Sequence, residues 1–372
     1  MTQRYFTVIL IIMLAALPVC SQGIEAKAEN ATPDSAKVSR VLSYSEAEVR
    51  IEGGSPGILL TGTLTLPEGS GPHPSVILIA GNGPHTRDQM ISGTPVFRVI
   101  ADHLVRKGIA VLRYDKRGMG SSTGPKNEED STTEEFAADA RACFNFLKKR
   151  PEIDPKKIGL IGHSEGAMIA PMVANSESGV CFVVLIAPPA APCEEIWIKQ
   201  RLNNLKRLGA DPAVLPAVET QLHRLVEFVV SGKNDDETYY RIGHDFVAAH
   251  GMPEERITKE LIDQLISDWR HRWYRFFFSY KPADALKRLN MPLLAVMASE
   301  DTNVLLEQNL PPMIDALVEA KNPDFTVTVL PDQDHFFLVF KGRRLEKHNP
   351  GKMEVAPALL NTMAQWIRDH MN

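Results

Sequence analysis

The apolar residues of this chain form short, continuous runs that are separated by longer amphipathic stretches. In the first half of the chain these runs cover residues 75–80, 109–114, 157–162 and 181–187. Helical periodicity follows at 96–106, at 133–149 and from Ser164 to Ala174. Continuous apolar strands separated by helices are typical of a parallel sheet that is covered on both faces. The pattern therefore predicts an α/β fold.

The pattern differs at the start and in the middle of this alternation. Residues 47–51 and 58–66 are rich in β-forming residues, and the turn-forming run 53–57 separates them, which predicts an antiparallel pair. From about 192 to 282 the sequence becomes helical and rich in Leu, Arg, Trp and Phe. The alternation then resumes, with strands expected at 291–298 and 325–330 and helices at 305–320 and 357–370.

These changes predict a core that an insertion divides in two. The first part of the core is expected at 41–191, and its second part at 286–372. Between them, residues 192–285 form a predicted helical cap.

The beginning of the chain predicts export. It has an early Arg4, then an apolar run through Leu17, then small and polar residues, which is the order of a secretory signal peptide. The run is shorter than a membrane-spanning helix requires, so we expect residues 1–21 to be removed and no membrane span to remain. Residues 22–40 predict a linker, and lipidation at Cys20 is the alternative to cleavage after Ser21. The protein is expected in the periplasm or outside the cell.

Composition and charge exclude several classes of partner. The net charge of −5, with Lys and Arg interspersed among Asp and Glu, gives no basic surface for nucleic acid. Neither a C-x-x-C nor an H-E-x-x-H motif occurs, so we expect no metal site. The remaining cysteines, Cys143, Cys181 and Cys193, are expected to be mostly buried apolar residues, with a bridge between the last two left open. The oligomeric state is also left open.

The loop 115–124 (DKRGMGSSTG) superficially suggests a nucleotide site. It lacks the third glycine of G-x-G-x-x-G and opens no helix, so we expect no dinucleotide cofactor. We interpret it as a structural loop, with Asp115 and Arg117 bracing each other or Arg87.

The segment LIGHSEGAMIA carries the candidate chemistry. Gly162, Ser164 and Gly166 have the G-x-S-x-G spacing, which alone is a weak signal. Here an apolar strand leads directly into the serine and a helix leads directly out, which is the context of a nucleophile elbow. We therefore predict that Ser164 is a nucleophile.

A serine nucleophile needs a base and an acid that orients the base, in the chain order Ser, acid, His. Asp301 follows the strand predicted at 291–298, with Glu300 as the competing acid. His335 lies five residues beyond the last predicted strand and is the predicted base. The other histidines weighed for this role are His85, His163 and His348.

The oxyanion of an acyl-transfer intermediate needs two backbone donors. The first is predicted at Glu165, directly after the nucleophile. The second is predicted at Asn82 in the loop AGNGPH, with Gly83 as the alternate donor.

The motifs GNGPHTRD, YDKRGMGSS, GHSEGAMIAPMVA, SED and DQDHFF, taken in order, resemble those of bacterial alpha/beta hydrolases of the serine esterase and dienelactone-hydrolase-like group. The resemblance covers nearly everything from about Val41 onward. It implies an alpha/beta-hydrolase fold with Ser164, Asp301 and His335 as the catalytic triad. The chain departs from the usual pattern at Asn82, Ala167 and Ala298, which affects the expected shape of the pocket.

The sequence thus predicts an exported, cofactor-free serine hydrolase that cleaves small carboxylic esters through an acyl-serine intermediate. A serine peptidase or thioesterase with the same triad is the alternative, and a non-catalytic binding protein is a further one. The aromatic residues of the cap are expected either to hold an apolar group of the substrate or to dock the cap onto the core. They are Trp269, Trp273, Tyr274 and Phe276 to Phe278.

Overall fold

A computed structural model of the protein describes residues 44–233, 235–340 and 353–371. The predicted signal peptide, the predicted linker, Cys20 and His348 lie outside the described residues. In chain order the strands are β1 (Tyr44–Glu52), β2 (Leu59–Pro67), β3 (His73–Ile79), β4 (Met90–Ile91), β5 (Thr94–Pro95), β6 (Ala110–Tyr114), β7 (Ile153–His163), β8 (Val180–Ile186), β9 (Leu293–Ala298), β10 (Phe325–Leu330), β11 (Leu338–Phe340) and β12 (Met353–Val355).

The helices alternate with these strands and fill the interval between β8 and β9. In chain order they are α1 (Val96–Val105), α2 (Thr133–Leu147), α3 (Gly166–Ser176), α4 (Cys193–Arg207), α5 (Leu215–Ser231), α6 (Asp236–Ala249), α7 (Lys259–Ile266), α8 (Arg272–Ser279), α9 (Pro282–Leu286), α10 (Leu306–Glu319) and α11 (Pro357–Met371). Among the described residues, no helix is both long and apolar enough to cross a bilayer.

The central sheet has eight strands in the order β1-β2-β6-β3-β7-β8-β9-β10. β1 pairs with β2, and β2 with β6, in antiparallel register. The strands from β6 to β10 in this order are all parallel. The expected mostly parallel sheet and the expected antiparallel pair near its beginning are both confirmed.

Helices cover both faces of the sheet. Successive strand residues point to opposite faces, and here the residues on both faces are apolar. Ile77 and Leu160 belong to one apolar cluster, together with residues of α2 and α3. Their chain neighbours Val76 and Ile161 belong to a second cluster, together with residues of α1 and α11. The absence of apolar–polar alternation in these strands therefore follows from burial on both faces.

The helices α4 to α9 occupy the interval of the predicted cap. Their buried apolar residues join the same cluster as α2 and α3, so they continue the apolar core on that side of the molecule. The exact domain bounds of 41–191, 192–285 and 286–372 stay predictions.

Two short antiparallel pairs were not expected from the sequence. β4 pairs with β5 and β11 pairs with β12. Strands of two or three residues are too short to show a periodicity, so the sequence pattern could not indicate them.

The cysteines of the described chain are free thiols. Cys143 and Cys193 are buried, as expected, whereas Cys181 is partly exposed. The bridge left open between Cys181 and Cys193 is not formed.

Candidate active site

The turn after β7 places Ser164 in a left-handed backbone conformation, with φ of 55°. A Cβ on Gly162 would lie 2.0 Å from the carbonyl oxygen of Gly166, and a Cβ on Gly166 would lie 2.1 Å from that of Ile79. Real Cβ atoms do not come this close to backbone oxygens, so both positions require glycine. The G-x-S-x-G spacing thus reflects the close approach of α3 to the strands β7 and β3.

Ser164, His335 and Asp301 form a chain of hydrogen bonds. His335 Nε2 lies 3.0 Å from Ser164 Oγ, and His335 Nδ1 lies 2.8 Å from Asp301 Oδ2. The other carboxylate oxygen of Asp301 accepts the amides of Asn303 and Val304, each at 2.8 Å. These two bonds hold the carboxylate so that one oxygen remains for the imidazole.

The competing acid points elsewhere. The Glu300 carboxylate is exposed and accepts a hydrogen bond from Ser299, while Asp301 is buried beside His335. Ser164, Asp301 and His335 meet because they follow β7, β9 and β10, which are parallel strands of one sheet whose carboxyl ends share one edge.

The loop after β3 lies against the serine turn. The Gly83 amide donates to Glu128, at 3.1 Å. In the described structure no group accepts a hydrogen bond from the amide of Asn82 or that of Glu165. Both residues line the same cavity as Ser164. The alternate donor Gly83 is therefore engaged, and the amides of Asn82 and Glu165 remain available to a ligand.

His85 orients the Asn82 peptide. Its Nε2 donates to the Asn82 carbonyl at 3.0 Å, which identifies Nε2 as the protonated nitrogen. Burial and then the nearby Lys116 lower the pKa of His85 to about 4, so the ring is neutral near pH 7. His85 thus supports this loop, whereas the imidazole hydrogen-bonded to Ser164 Oγ is that of His335.

His163 has a supporting contact that the sequence did not indicate. Its Nε2 donates to the backbone carbonyl of His335 at 3.0 Å, and its Nδ1 accepts from Gln89 at 3.0 Å. The Gln89 side chain also accepts the amide of Gly81 at 3.2 Å. Burial, and next the charge of His335, lower the pKa of His163 to about 3. A neutral His163 therefore links the loop after β3 to the loop that carries His335.

The side chain of Glu165 joins three parts of the molecule. One oxygen accepts from Thr133 at the start of α2 and from the Trp273 indole of the cap, both at 2.7 Å. The other accepts from Lys116, which also contacts Glu128. Burial alone would lower the pKa of Lys116, but the two carboxylates outweigh burial and raise it. The residue that follows the serine thus fixes the serine turn against both the core and the cap.

The loop 115–124 forms one of the two alternative pairings that the sequence suggested. Asp115 binds the Arg87 guanidinium through both carboxylate oxygens, as one of the two expected pairings stated. Arg117 does not contact Asp115; it pairs with Asp139 of α2, at 2.7 Å. Its partner is a buried helix residue, and only the packing of α2 places that residue beside the loop.

A cavity opens over Ser164 and His335. The aromatic residues in its wall come from the cap: Trp197, Trp273, Tyr274 and Phe277. Trp269 and Phe278 instead pack inside the cap, against Trp197. The cap aromatics named from the sequence are therefore divided between lining the cavity and packing the cap.

One group of side chains has the composition of a metal site. Ligand atoms of Glu129, Asp268 and His271 lie within 4.8 Å of one another. His271 Nε2 faces Glu129 and Asp268, each at 3.9 Å, while its Nδ1 contacts Asp130 at 3.1 Å. These polar contacts join the core to the cap.

Comparisons with known proteins show what this chain is similar to. A model of the alpha/beta hydrolase family matches residues 76–345. Esterase EstD of Thermotoga maritima is 29% identical over 87% of this chain and 68% of its own length. A thiohydrolase of Arthrinium phaeospermum is 35% identical over 23% of this chain and 27% of its own length. An esterase structure from Pyrococcus furiosus superposes with a TM-score of 0.54 at 17% identity, covering 93% of this chain and 96% of the other.

Proposed function

This chain belongs to the alpha/beta hydrolase family, and we propose that it is a carboxylic-ester hydrolase that forms an acyl intermediate on Ser164. The observation that carries the proposal is the continuous hydrogen-bond chain from Ser164 Oγ through His335 to Asp301, at the base of a cavity. The similarity to Esterase EstD supports an ester as the substrate.

In the first half of the reaction, Ser164 Oγ attacks the ester carbonyl carbon while His335 Nε2 takes the hydroxyl proton. Asp301 accepts a hydrogen bond from Nδ1–H and stabilises the imidazolium that forms. The carbonyl oxygen becomes an oxyanion, which accepts hydrogen bonds from the backbone amides of Asn82 and Glu165. The bond to the alkoxy oxygen then breaks, and that oxygen leaves as an alcohol with the proton from His335.

In the second half, water takes the place of the alcohol. His335 removes a proton from the water as its oxygen attacks the acyl carbon. This attack forms a second oxyanion, which accepts hydrogen bonds from the same two backbone amides. The bond to Ser164 Oγ breaks, Oγ recovers its proton from His335, and the carboxylic acid is released.

The test compares wild-type protein with Ser164→Ala on short-chain nitrophenyl esters. We expect kcat/KM to fall by about a thousandfold or more, because the acyl intermediate cannot form. Ser279→Ala, which removes an exposed hydroxyl in α8, is the matched control and keeps wild-type activity. Equal activity of wild type and Ser164→Ala would refute the proposal.

The same assay separates esters from the alternative substrates. A butyryl thioester and a peptide nitroanilide are measured beside the butyryl ester. The short match to a thiohydrolase makes the thioester the informative competitor. Turnover of the peptide or the thioester without turnover of the ester would overturn the ester assignment.

The proposal includes export to the periplasm or the medium. It is supported by Arg4 followed by the apolar run through Leu17 and the small residues Val19 and Ser21. Mass spectrometry of the protein from its native host is expected to show an N-terminus at Gln22. A lipid-modified Cys20 would instead identify a lipoprotein, and a retained Met1 would contradict both forms of export.

A further inference from the structure

Arg201 lies on the inner side of the cap, in the wall of the cavity that contains Ser164 and His335. It belongs to α4, and only 2% of its surface is exposed. Arginine stays charged under nearly all conditions in proteins, and a buried charge ordinarily has a carboxylate or several acceptors around it. The surroundings of Arg201 therefore decide whether its charge is already compensated.

The faces of the guanidinium are occupied, but its donors are not. Its central carbon lies 3.6 Å from the centre of the Trp197 ring and 5.8 Å from that of Trp269. Its Nε and Nη1 are buried and donate to no group in the described structure. Stacking on an aromatic face leaves the N–H groups at the edge without acceptors. Burial lowers the pKa of Arg201 to about 9, with the Tyr274 hydroxyl as the one opposing influence.

The carboxylate in the same wall does not compensate this charge. Glu165 lines the cavity, yet its two oxygens are taken by Thr133, Trp273 and Lys116. Among the described residues, no carboxylate forms an ion pair with Arg201. The wall of the cavity that contains the serine thus includes a positive charge whose Nε and Nη1 donors have no acceptor among the described residues.

We propose that Arg201 binds a second, anionic group of the substrate, so that the preferred substrates are esters that also carry a free carboxylate. Half-esters of dicarboxylic acids have this chemistry. The aromatic side chains in the wall suit the apolar spacer between the ester and the carboxylate. A carboxylate would supply the acceptors that the guanidinium lacks, through charge-assisted hydrogen bonds. This inference rests on the proposed ester hydrolysis for its substrate class.

Binding is tested separately from catalysis, in Ser164→Ala protein by calorimetry. The probes are naphthyl half-esters of adipic, suberic and sebacic acid, each paired with the neutral naphthyl ester of the monocarboxylic acid of equal chain length. We expect at least one half-ester to bind about tenfold more tightly than its neutral counterpart. Adding Arg201→Met brings that ratio to about one. Adding Arg207→Met instead, which removes an exposed charge from the same helix, leaves the ratio unchanged.

The outcomes distinguish this inference from the proposed function. Neutral esters that bind as tightly as the half-esters at every chain length would overturn the role of Arg201. A preference that survives in Arg201→Met protein would do the same. If Arg201→Met does not fold, the comparison of half-esters with neutral esters in Ser164→Ala protein still tests whether the cavity prefers an anionic group. Failure of ester hydrolysis would appear as equal rates in wild type and Ser164→Ala, a result that the binding ratio does not depend on.

Discussion

Single residues at this site have roles that depend on their immediate neighbours rather than on their type. His163 stands beside the nucleophile, yet both of its ring nitrogens are engaged, by Gln89 and by the His335 carbonyl. The imidazole of His335 is thus the one that faces Ser164 Oγ. His163 and Gln89 fix where the backbone of His335 lies, and through it the position of the base.

The first prediction concerns Gln89. Gln89→Leu removes the acceptor of the Gly81 amide and the donor to His163. The loop after β3 and the loop that carries His335 each lose a hydrogen bond that positions them, the second through His163. We expect kcat/KM on a nitrophenyl ester to fall about tenfold, because small displacements of the base or of the oxyanion donors are costly. Gln365→Leu, on the exposed side of α11, is the control and keeps full activity. Wild-type activity in Gln89→Leu would show that the contact is not needed.

The second prediction concerns Gly162. In Gly162→Ala the new methyl group meets the Gly166 carbonyl, so β7 and α3 must separate. We expect the free energy of unfolding to fall by about 1 to 3 kcal/mol, as overpacking does, and activity to fall with it. Denaturant unfolding followed by circular dichroism measures the first effect. A variant as stable as wild type would mean that the turn relaxes without cost.

At the scale of elements, the cap and the core are joined at the active site itself. The indole of Trp273, on α8, donates to Glu165, the residue that follows the nucleophile. The start of α2 supplies Thr133 to the same carboxylate. This helix begins with a capping box, in which the Thr132 and Glu135 side chains each accept the other's amide, so Thr133 is held in place.

The third prediction tests this junction. Trp273→Phe keeps an aromatic ring in the cavity but removes the donor to a buried carboxylate. We expect a loss of about 1 to 3 kcal/mol in the free energy of unfolding, together with a lower kcat/KM. Trp366→Phe, whose indole donates to Thr326 on the opposite face of the sheet, is the matched control and keeps kcat/KM. Equal kcat/KM in Trp273→Phe and Trp366→Phe would show that the contact between the cap and Glu165 does not affect catalysis.

At the scale of the whole molecule, burial of neutral histidines makes stability depend on pH. The pKa of His163 is about 3 in the folded chain, below its ordinary value of 6.5. Between these two values the unfolded chain binds a proton that the folded chain does not. The stability from this residue is therefore complete above pH 6.5 and is lost as the pH falls toward 3.

This loss of stability at low pH leads to the fourth prediction. Between pH 6 and pH 4 the free energy of unfolding of wild type should fall with a slope that includes about 1.4 kcal/mol per pH unit from His163. His163→Gln lacks this contribution, so its stability is expected to depend less steeply on pH. Urea unfolding of both proteins at several pH values measures the difference. Parallel curves for the two proteins would contradict a neutral, buried His163.

The order of elements could be predicted from the sequence because it is a local property. Continuous apolar runs mark strands that are buried on both faces, and their spacing leaves room for helices, so the parallel sheet followed directly. Strand ends are also local, and parallel strands share an edge. The positions of Ser164, Asp301 and His335 at one edge could therefore be predicted, although their catalytic role stays a proposal.

Only the tertiary structure decided which side chains meet. Arg117 pairs with Asp139, 22 positions away, and His163 binds the carbonyl of His335, 172 positions away. No local pattern encodes such pairs, because they depend on how helices and loops pack over the sheet. The same holds for Arg201: the sequence shows an arginine on a helix, and packing alone turned it inward, over Trp197, without an anion beside it. The fold class therefore follows from periodicity, whereas the charge in the cavity follows from burial.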